Sequence, residues 1–332
     1  MFSEASLSAP HFGLVIRKNR GQYLVQDGSQ TVLCSVSNRL YKKLIYPTAD
    51  PSSNPHQRVQ RVEEINEDDP VVIGDQVEYL SSGDSTGHIQ GVFPRRNQLS
   101  RPDFRGNHFQ RHAFEQVMVA NVDQVVIVFA AAKPEPKWNL LDRYLVSAES
   151  FQLPAVVCIT KMDLIHPGEL DEVLDIYRTI GYTFLLTSAT SGDGIDQAKK
   201  VFAGRISILM GKSGVGKSSL LNAIQPGLGL KVQEVGDGDV GKGRHTTTHL
   251  ELFPLDGGGG VVDTPGMREF GLWDMDPYDL AACFPEMRRF LGQCQFQSDC
   301  LHNGEPGCSV RRGVEQGLIS RQRYESYLKL LP

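Results

Sequence analysis

From residue 13 to about residue 100, apolar residues come in short runs separated by polar and turn-forming ones. Leu14-Val15-Ile16, Gln22 to Val25, Thr31 to Val36, Val71 to Leu80 and His88 to Val92 read as strands. Gly21, Asp27-Gly28 and Ser82-Gly83-Asp84 provide the turn chemistry between them. About five strands without a helical period predict a small barrel of the OB type. Pro47 to Pro70, with PTADPSSNPHQ and EEINEDD, is polar throughout and reads as a long loop inserted in that barrel.

Beyond residue 117 the pattern changes. Val122 to Ala130 is a continuous apolar strand, Asn139 to Phe151 a helix, and Pro154 to Thr160 a second strand. Leu170 to Ile180 reads as a helix, Phe184 to Thr187 as a strand, and Arg205 to Met210 as a strand entering a glycine-rich loop. Thr190 to Gly204 reads as a short joining segment. Apolar strands alternating with helices predict a parallel sheet covered on both faces. Short helical stretches follow residue 275, and a final helix is expected over roughly Gln316 to Leu331. The expected division is a barrel over 1–105, an α/β domain over 106–275 and a helical segment over 276–332.

The length of 332 residues suits such a multidomain chain, and 40% hydrophobic against 22% charged residues allows real cores. No apolar run reaches the roughly 20 residues of a membrane helix. MFSEASLSAPHFG lacks the basic-then-apolar texture of a signal peptide, so a cytoplasmic protein without membrane contact is expected. A net charge of −5 excludes a uniformly basic protein. It leaves room for a local patch: Arg95, Arg96, Arg101, Arg105 and Arg111 lie close together with Asp103 as the only acid among them. On a barrel such a patch could hold RNA phosphates.

Gly211-Lys212-Ser213-Gly214-Val215-Gly216-Lys217-Ser218 matches GxxxxGK[ST], between a predicted strand and the helical Ser219-Leu220-Leu221. The glycines let backbone N–H groups converge on phosphate oxygens at a helix N-terminus. Lys217 is expected on the β- and γ-phosphates, and Ser218 on Mg²⁺. Asp263-Thr264-Pro265-Gly266, after Val261-Val262, has the form DxxG, with Asp263 placed to hold the metal.

The base is read from Thr160-Lys161-Met162-Asp163, which resembles [NT]KxD. A carboxylate at Asp163 accepts from guanine N1–H and N2–H₂, a donor pair that adenine lacks on that edge. The stem of Lys161 would pack along the base. Thr187-Ser188-Ala189 resembles the SA motif that supports the base from the other side. GTP and GDP are therefore the expected ligands. In ordinary GTPases the phosphate loop comes first, whereas here the guanine motifs precede it. A circular permutation explains the order, since the termini of α/β domains often lie close together.

The glycine-rich run Gly236 to Gly243 followed by Arg244-His245-Thr246-Thr247-Thr248 reads as switch I. The run does not single out one threonine for Mg²⁺; Thr247 is carried as the candidate. Where many GTPases place a water-orienting Gln after DxxG, this chain has Met267. His245 is the internal candidate for positioning water. An RNA contact by the same imidazole is the rival role. Cys294, Cys300, His302 and Cys308 offer a full tetrahedral set for one structural zinc, with no position left for catalysis. Cys34, Cys158 and Cys283 are scattered in apolar surroundings.

Permuted motifs, a barrel ahead of them, the GRHTTT run, the Cys/His cluster and Tyr324-Glu325-Ser326-Tyr327-Leu328 together resemble the bacterial ribosome small-subunit-dependent GTPase A family. The resemblance spans nearly the whole chain. It implies a late assembly factor of the small ribosomal subunit, acting as a monomer on the subunit and its rRNA. It also implies hydrolysis stimulated by the subunit, with hydrolysis gating release. The alternative is an RNA-binding module in which GTP is mainly a structural ligand.

Overall fold

In the computed structural model the described residues are 9–19, 21–37, 40, 42–45, 61–64, 70–103, 114–230, 250–263 and 275–331. The chain forms two compact units, Met1–Val122 with Thr247–Leu252, and Asp123–Thr246 with Phe253–Pro332. The boundary expected at 105/106 falls outside the described residues.

The first unit is a five-stranded barrel. Its strands are β1 (His11–Asn19), β2 (Gln22–Asp27), β3 (Gln30–Val36), β6 (Gln76–Gly83) and β7 (Thr86–Val92). A hairpin of β4 (Lys42–Ile45) and β5 (Arg61–Glu64) lies between β3 and β6 in sequence. Around the barrel the order is β1-β2-β3-β7-β6, and β6 pairs back onto β1, which closes the ring and leaves no free edge. Only β3 and β7 run parallel. Period-two alternation points Tyr23, Val25, Val32, Cys34, Tyr79 and Ile89 inward. Two expectations change here. Arg61–Glu64 pairs with Lys42–Ile45, so the polar insertion contains strand, its unalternating R-V-E-E having hidden it. Val71-Val72-Ile73 is not ladder: the Val72 amide donates to the Asp75 carboxylate at 2.8 Å, and Ile73 makes only an isolated bridge with Val119.

The barrel continues into a second hairpin, β8 (Gln98–Asp103) with β9 (Phe114–Ala120). Its entry is fixed by a buried ion pair. Arg95 donates from Nε to Asp75 Oδ1 at 2.8 Å and from Nη2 to Asp75 Oδ2 at 3.0 Å. Asp75 is wholly buried and the Arg95 side chain 15% exposed. Arg96 holds the Asn121 carbonyl at 3.1 Å. The Arg95 guanidinium is therefore committed to building the unit, whereas Arg96 makes its bond from an exposed position. Arg105 and Arg111, and the side chain of Arg101, lie outside the described residues.

The second unit is a parallel sheet with β10 (Gln124–Ala130), α1 (Trp138–Ser150), β11 (Ala155–Thr160), α2 (Asp171–Ile180), β12 (Thr183–Leu186), α3 (Ile195–Phe202), β13 (Arg205–Met210) and α4 (Lys217–Ile224). β14 (Glu251–Pro254) precedes β15 (Gly259–Asp263). The order β12-β11-β10-β13-β15 is parallel throughout. Every residue of β10 is buried, as a strand covered on both faces requires. Val126, Val128 and Ala130 face α3 and α4, where Ala198, Phe202, Leu220 and Leu221 pack. On the opposite face, Phe129 meets Tyr144 of α1 edge-on at 6.1 Å. The joining segment after Thr190 proves to contain α3. Ile195, Ala198 and Phe202 at helical spacing were the missed signal.

The C-terminal part has short 3₁₀ turns, then α5 (Ser309–Glu315) and α6 (Arg321–Leu330). The final helix expected over roughly Gln316 to Leu331 is α6, which starts later, at Arg321. α5 ends at Glu315, and the chain turns at Gly317 with a positive φ. Phe284, Met287, Val310 and Tyr327 form the core here, joined by Val146 of α1.

The Arg95–Asp75 pair yields a test. Arg95→Ala leaves a carboxylate buried without its charge partner, which should cost about 3–5 kcal/mol. Chemical denaturation of the full chain measures it, and a loss below about 1 kcal/mol, the level of an exposed pair, would contradict the assignment.

Candidate functional site

Parallel strands place their carboxyl ends along one edge. β11 ends at Thr160, β12 at Leu186, β13 at Met210 and β15 at Asp263. Asp263 lies level with Leu209 in register, one residue short of the strand end that enters the phosphate loop. The guanine motifs and the phosphate loop, inverted in sequence, therefore meet at one place.

The loop itself needs its glycines. A Cβ on Gly211, at φ +153°, would lie 2.5 Å from the Val128 carbonyl oxygen. One on Gly216, at φ +93°, would meet the Thr160 hydroxyl at 3.2 Å. Lys217 starts α4 and folds back, its Nζ donating to the Gly211 and Lys212 carbonyls at 2.8 Å each. Its ammonium is thus already held over the loop, where phosphate oxygens would draw it. Ser218 and Ser219 follow on the first turn of α4, while Lys212, Ser213, Gly214 and Val215 form the bend.

Base-side residues are tied to this loop. Thr160 is 4% exposed, and its hydroxyl lies on the Val215 and Phe129 carbonyl oxygens. Lys161 sits at φ +59°. Its ammonium donates to the Gly214 carbonyl at 2.7 Å and also to that of Lys133. Burial lowers the Lys161 pKa, with Asp163 opposing the shift. Asp163 accepts from the Ser188 hydroxyl at 2.5 Å, while Met162 N–H donates to the Thr187 carbonyl at 3.2 Å. Ser188, fully buried, also receives the amides of Thr190 and Ser191. Ala189 follows in the same turn. A cavity of about 330 Å³ is lined by Met162, Asp163, Leu174 and Leu186. His245 and Thr247 lie outside the described residues, as does the side chain of Asp263.

The second constellation is Cys294, Cys300, His302 and Cys308, all buried, with ligand atoms within 4.8 Å of one another. Around one tetrahedral Zn²⁺, two sulfurs would lie about 3.8 Å apart, and a sulfur and a nitrogen about 3.6 Å. Cys294 Sγ and Cys308 Sγ are 3.9 Å apart, and they stand 3.5 and 3.4 Å from His302 Nδ1. The set fits zinc. Burial lowers the His302 pKa against the pull of Glu305, which favours the neutral, ligating imidazole. Burial pushes Cys300 up to about 12, so a cation is needed to hold its thiolate at neutral pH. The Ser309 amide donates to Cys294 Sγ at 3.3 Å and the Arg311 amide to Cys308 Sγ at 3.5 Å.

One residue that mattered was not expected from sequence. Arg323 is fully buried in α6, donating to Asp142 Oδ1 at 2.6 Å and Glu286 Oε1 at 2.7 Å. Its neighbours Tyr324 and Tyr327 donate to the His302 and Leu301 carbonyls at 2.6 and 2.7 Å. The Tyr-x-x-Tyr spacing was visible, but not what it grips.

Comparisons with known proteins agree with this geometry. The family model described as RsgA GTPase matches residues 92–273. A small ribosomal subunit biogenesis GTPase RsgA of Pseudomonas aeruginosa is 42% identical over 264 residues, covering 79% of this chain and 75% of that protein. One from Gemmatimonas aurantiaca is 44% identical over 262 residues, covering 78% and 83%. The crystal structure of YjeQ from Thermotoga maritima superposes with a TM-score of 0.71 at 33% identity, covering 97% of this chain and 98% of that one. The crystal structure of YloQ, a circularly permuted GTPase, gives 0.68 at 30% identity, covering 99% and 96%. With a barrel, a permuted nucleotide-binding sheet and a Cys/His cluster in one order, this chain belongs to the RsgA GTPase family.

Proposed function

We propose that this GTPase acts in biogenesis of the small ribosomal subunit, as its relatives' names state of them. The observation that carries the nucleotide chemistry is the pair of ties from Thr160 and Lys161 to the phosphate loop. They join a base-reading turn to a phosphate-binding one across two parallel strands. In this reading Asp163 and Ser188-Ala189 take the guanine, while Gly211 to Ser219 cradle the phosphates. Lys217 lies along the β- and γ-phosphates. Ser218, Thr247 and Asp263 would hold Mg²⁺, which when bound neutralises charge developing on the phosphates. The division into barrel, GTPase domain and zinc segment belongs to the same proposal, as do a cytoplasmic location and action as a monomer.

Met267 cannot orient water, so basal hydrolysis should be slow. His245 is the residue of this chain proposed to position the attacking water when the subunit orders switch I. Hydrolysis would then license release of a late-stage particle. The test is GTP turnover with and without purified small subunits. Stimulation should be on the order of 10² or more, the scale that a positioned catalytic group gives. Turnover indifferent to subunits would instead favour a binding module with GTP as structural ligand.

The metal makes a separate expectation. Purified protein should carry about one zinc per chain, and Cys300→Ser should lower that content while GTP binding largely survives. Elemental analysis with nucleotide titration checks both, and native protein devoid of zinc would contradict the assignment.

A further inference from the structure

The Tyr324–Tyr327 signature is not used by the nucleotide or metal chemistry itself, yet it adjoins Arg323, a fully buried cation. α6 grips two places. On one side the Tyr324 and Tyr327 hydroxyls hold the carbonyls of His302 and Leu301, the backbone of the metal loop. On the other, Arg323 reaches Asp142 of α1 and Glu286 of the preceding segment. The rings of Phe284, Tyr177 and Tyr182 lie 4.6, 5.4 and 6.0 Å from its guanidinium carbon. Tyr177 of α2 also donates to Asp142 Oδ1 at 2.9 Å. One guanidinium thus clamps α1, the end of α2 and the root of β12.

Two of these elements, α1 and β12, lead to the base. α1 follows the loop containing Lys133, whose carbonyl receives the Lys161 ammonium. Tyr182 directly precedes β12, which runs along β11 in register and ends beside Thr187 and Ser188. Ser188 in turn holds Asp163. The two side chains proposed to read guanine, Lys161 and Asp163, are therefore each supported by an element that Arg323 fixes. A buried polar cluster packed in this way is the kind of contiguous network that can carry energetic coupling between the elements it joins.

We propose that Arg323 is a positioning residue for guanine recognition, and that α6 couples the zinc loop to the dwell time of the bound nucleotide. The proposal rests on the reading of Asp163 as the base acceptor. A partner that moves the zinc segment would then alter nucleotide release directly, without touching the phosphate loop.

The test measures dissociation of fluorescent GDP and of the matching inosine diphosphate, which lacks the 2-amino group, from full-length protein. Arg323→Lys keeps the charge and loses the fork. It should retain zinc, speed GDP release by about three- to tenfold, and speed inosine diphosphate release less. Tyr327→Phe keeps the ring and loses the hydroxyl on Leu301. It should release zinc faster to a chelator and accelerate GDP release in the same base-selective way, which keeps the idea testable should Arg323→Lys fold poorly. Unchanged GDP release in folded variants overturns the proposal. So does equal acceleration for both nucleotides, which would mean general loosening. Asp163→Asn serves as the reference: if it keeps the wild-type preference for GDP over inosine diphosphate, the base reading itself fails, whatever Arg323 does.

Discussion

Two adjacent side chains at the end of one strand hold the nucleotide site together. Thr160 and Lys161 leave β11 and spend their polar atoms on carbonyls of the phosphate loop, Val215 and Gly214. That constraint explains the tolerance of a permuted chain. A parallel sheet brings strand ends together whatever the order of connection, and hydrogen bonds across β11, β10 and β13 do the joining.

The same constraint shapes what lies around it. Lys161 needs a left-handed backbone to turn its ammonium inward, and Gly216 must lack a side chain because Thr160 lies beneath it. Asp163 is oriented by Ser188, which is buried and ties back its own turn. Arg323 and its two carboxylates fasten the C-terminal part to α1, and Tyr177 of α2 joins them through Asp142. Such a buried pair adds little net stability over an apolar core, and its contribution here is to fix one arrangement of helices.

Much of this was legible because the chemistry is local. A phosphate loop needs closely spaced glycines and one Lys-Ser, so Gly211 to Ser218 read directly, and the four residues that could hold a metal lie within one short stretch. The continuous apolar runs of β10 and β13 also spoke for themselves. What escaped depends on partners distant in sequence. Arg95 looked like surface charge because nothing near it announces Asp75 as its buried mate. Arg323 was invisible because arginine is almost never fully buried without partners, and its partners come from α1 and the segment around Glu286. α3 was passed over as a joining segment although Ile195, Ala198 and Phe202 carry the helical period. The final helix starts at Arg321 and not at Gln316, because Gly317 turns the chain before it.

The central claim is that the strand-end ties build one nucleotide site from two permuted halves. Calorimetric titration of GDP into Thr160→Val tests it most directly. The substitution keeps shape and leaves the buried Val215 carbonyl without its donor, a loss of about 1–3 kcal/mol, or roughly 5- to 150-fold in affinity. Discrimination against ADP should persist, since Asp163 is untouched. Wild-type GDP affinity in a folded Thr160→Val protein would contradict the account.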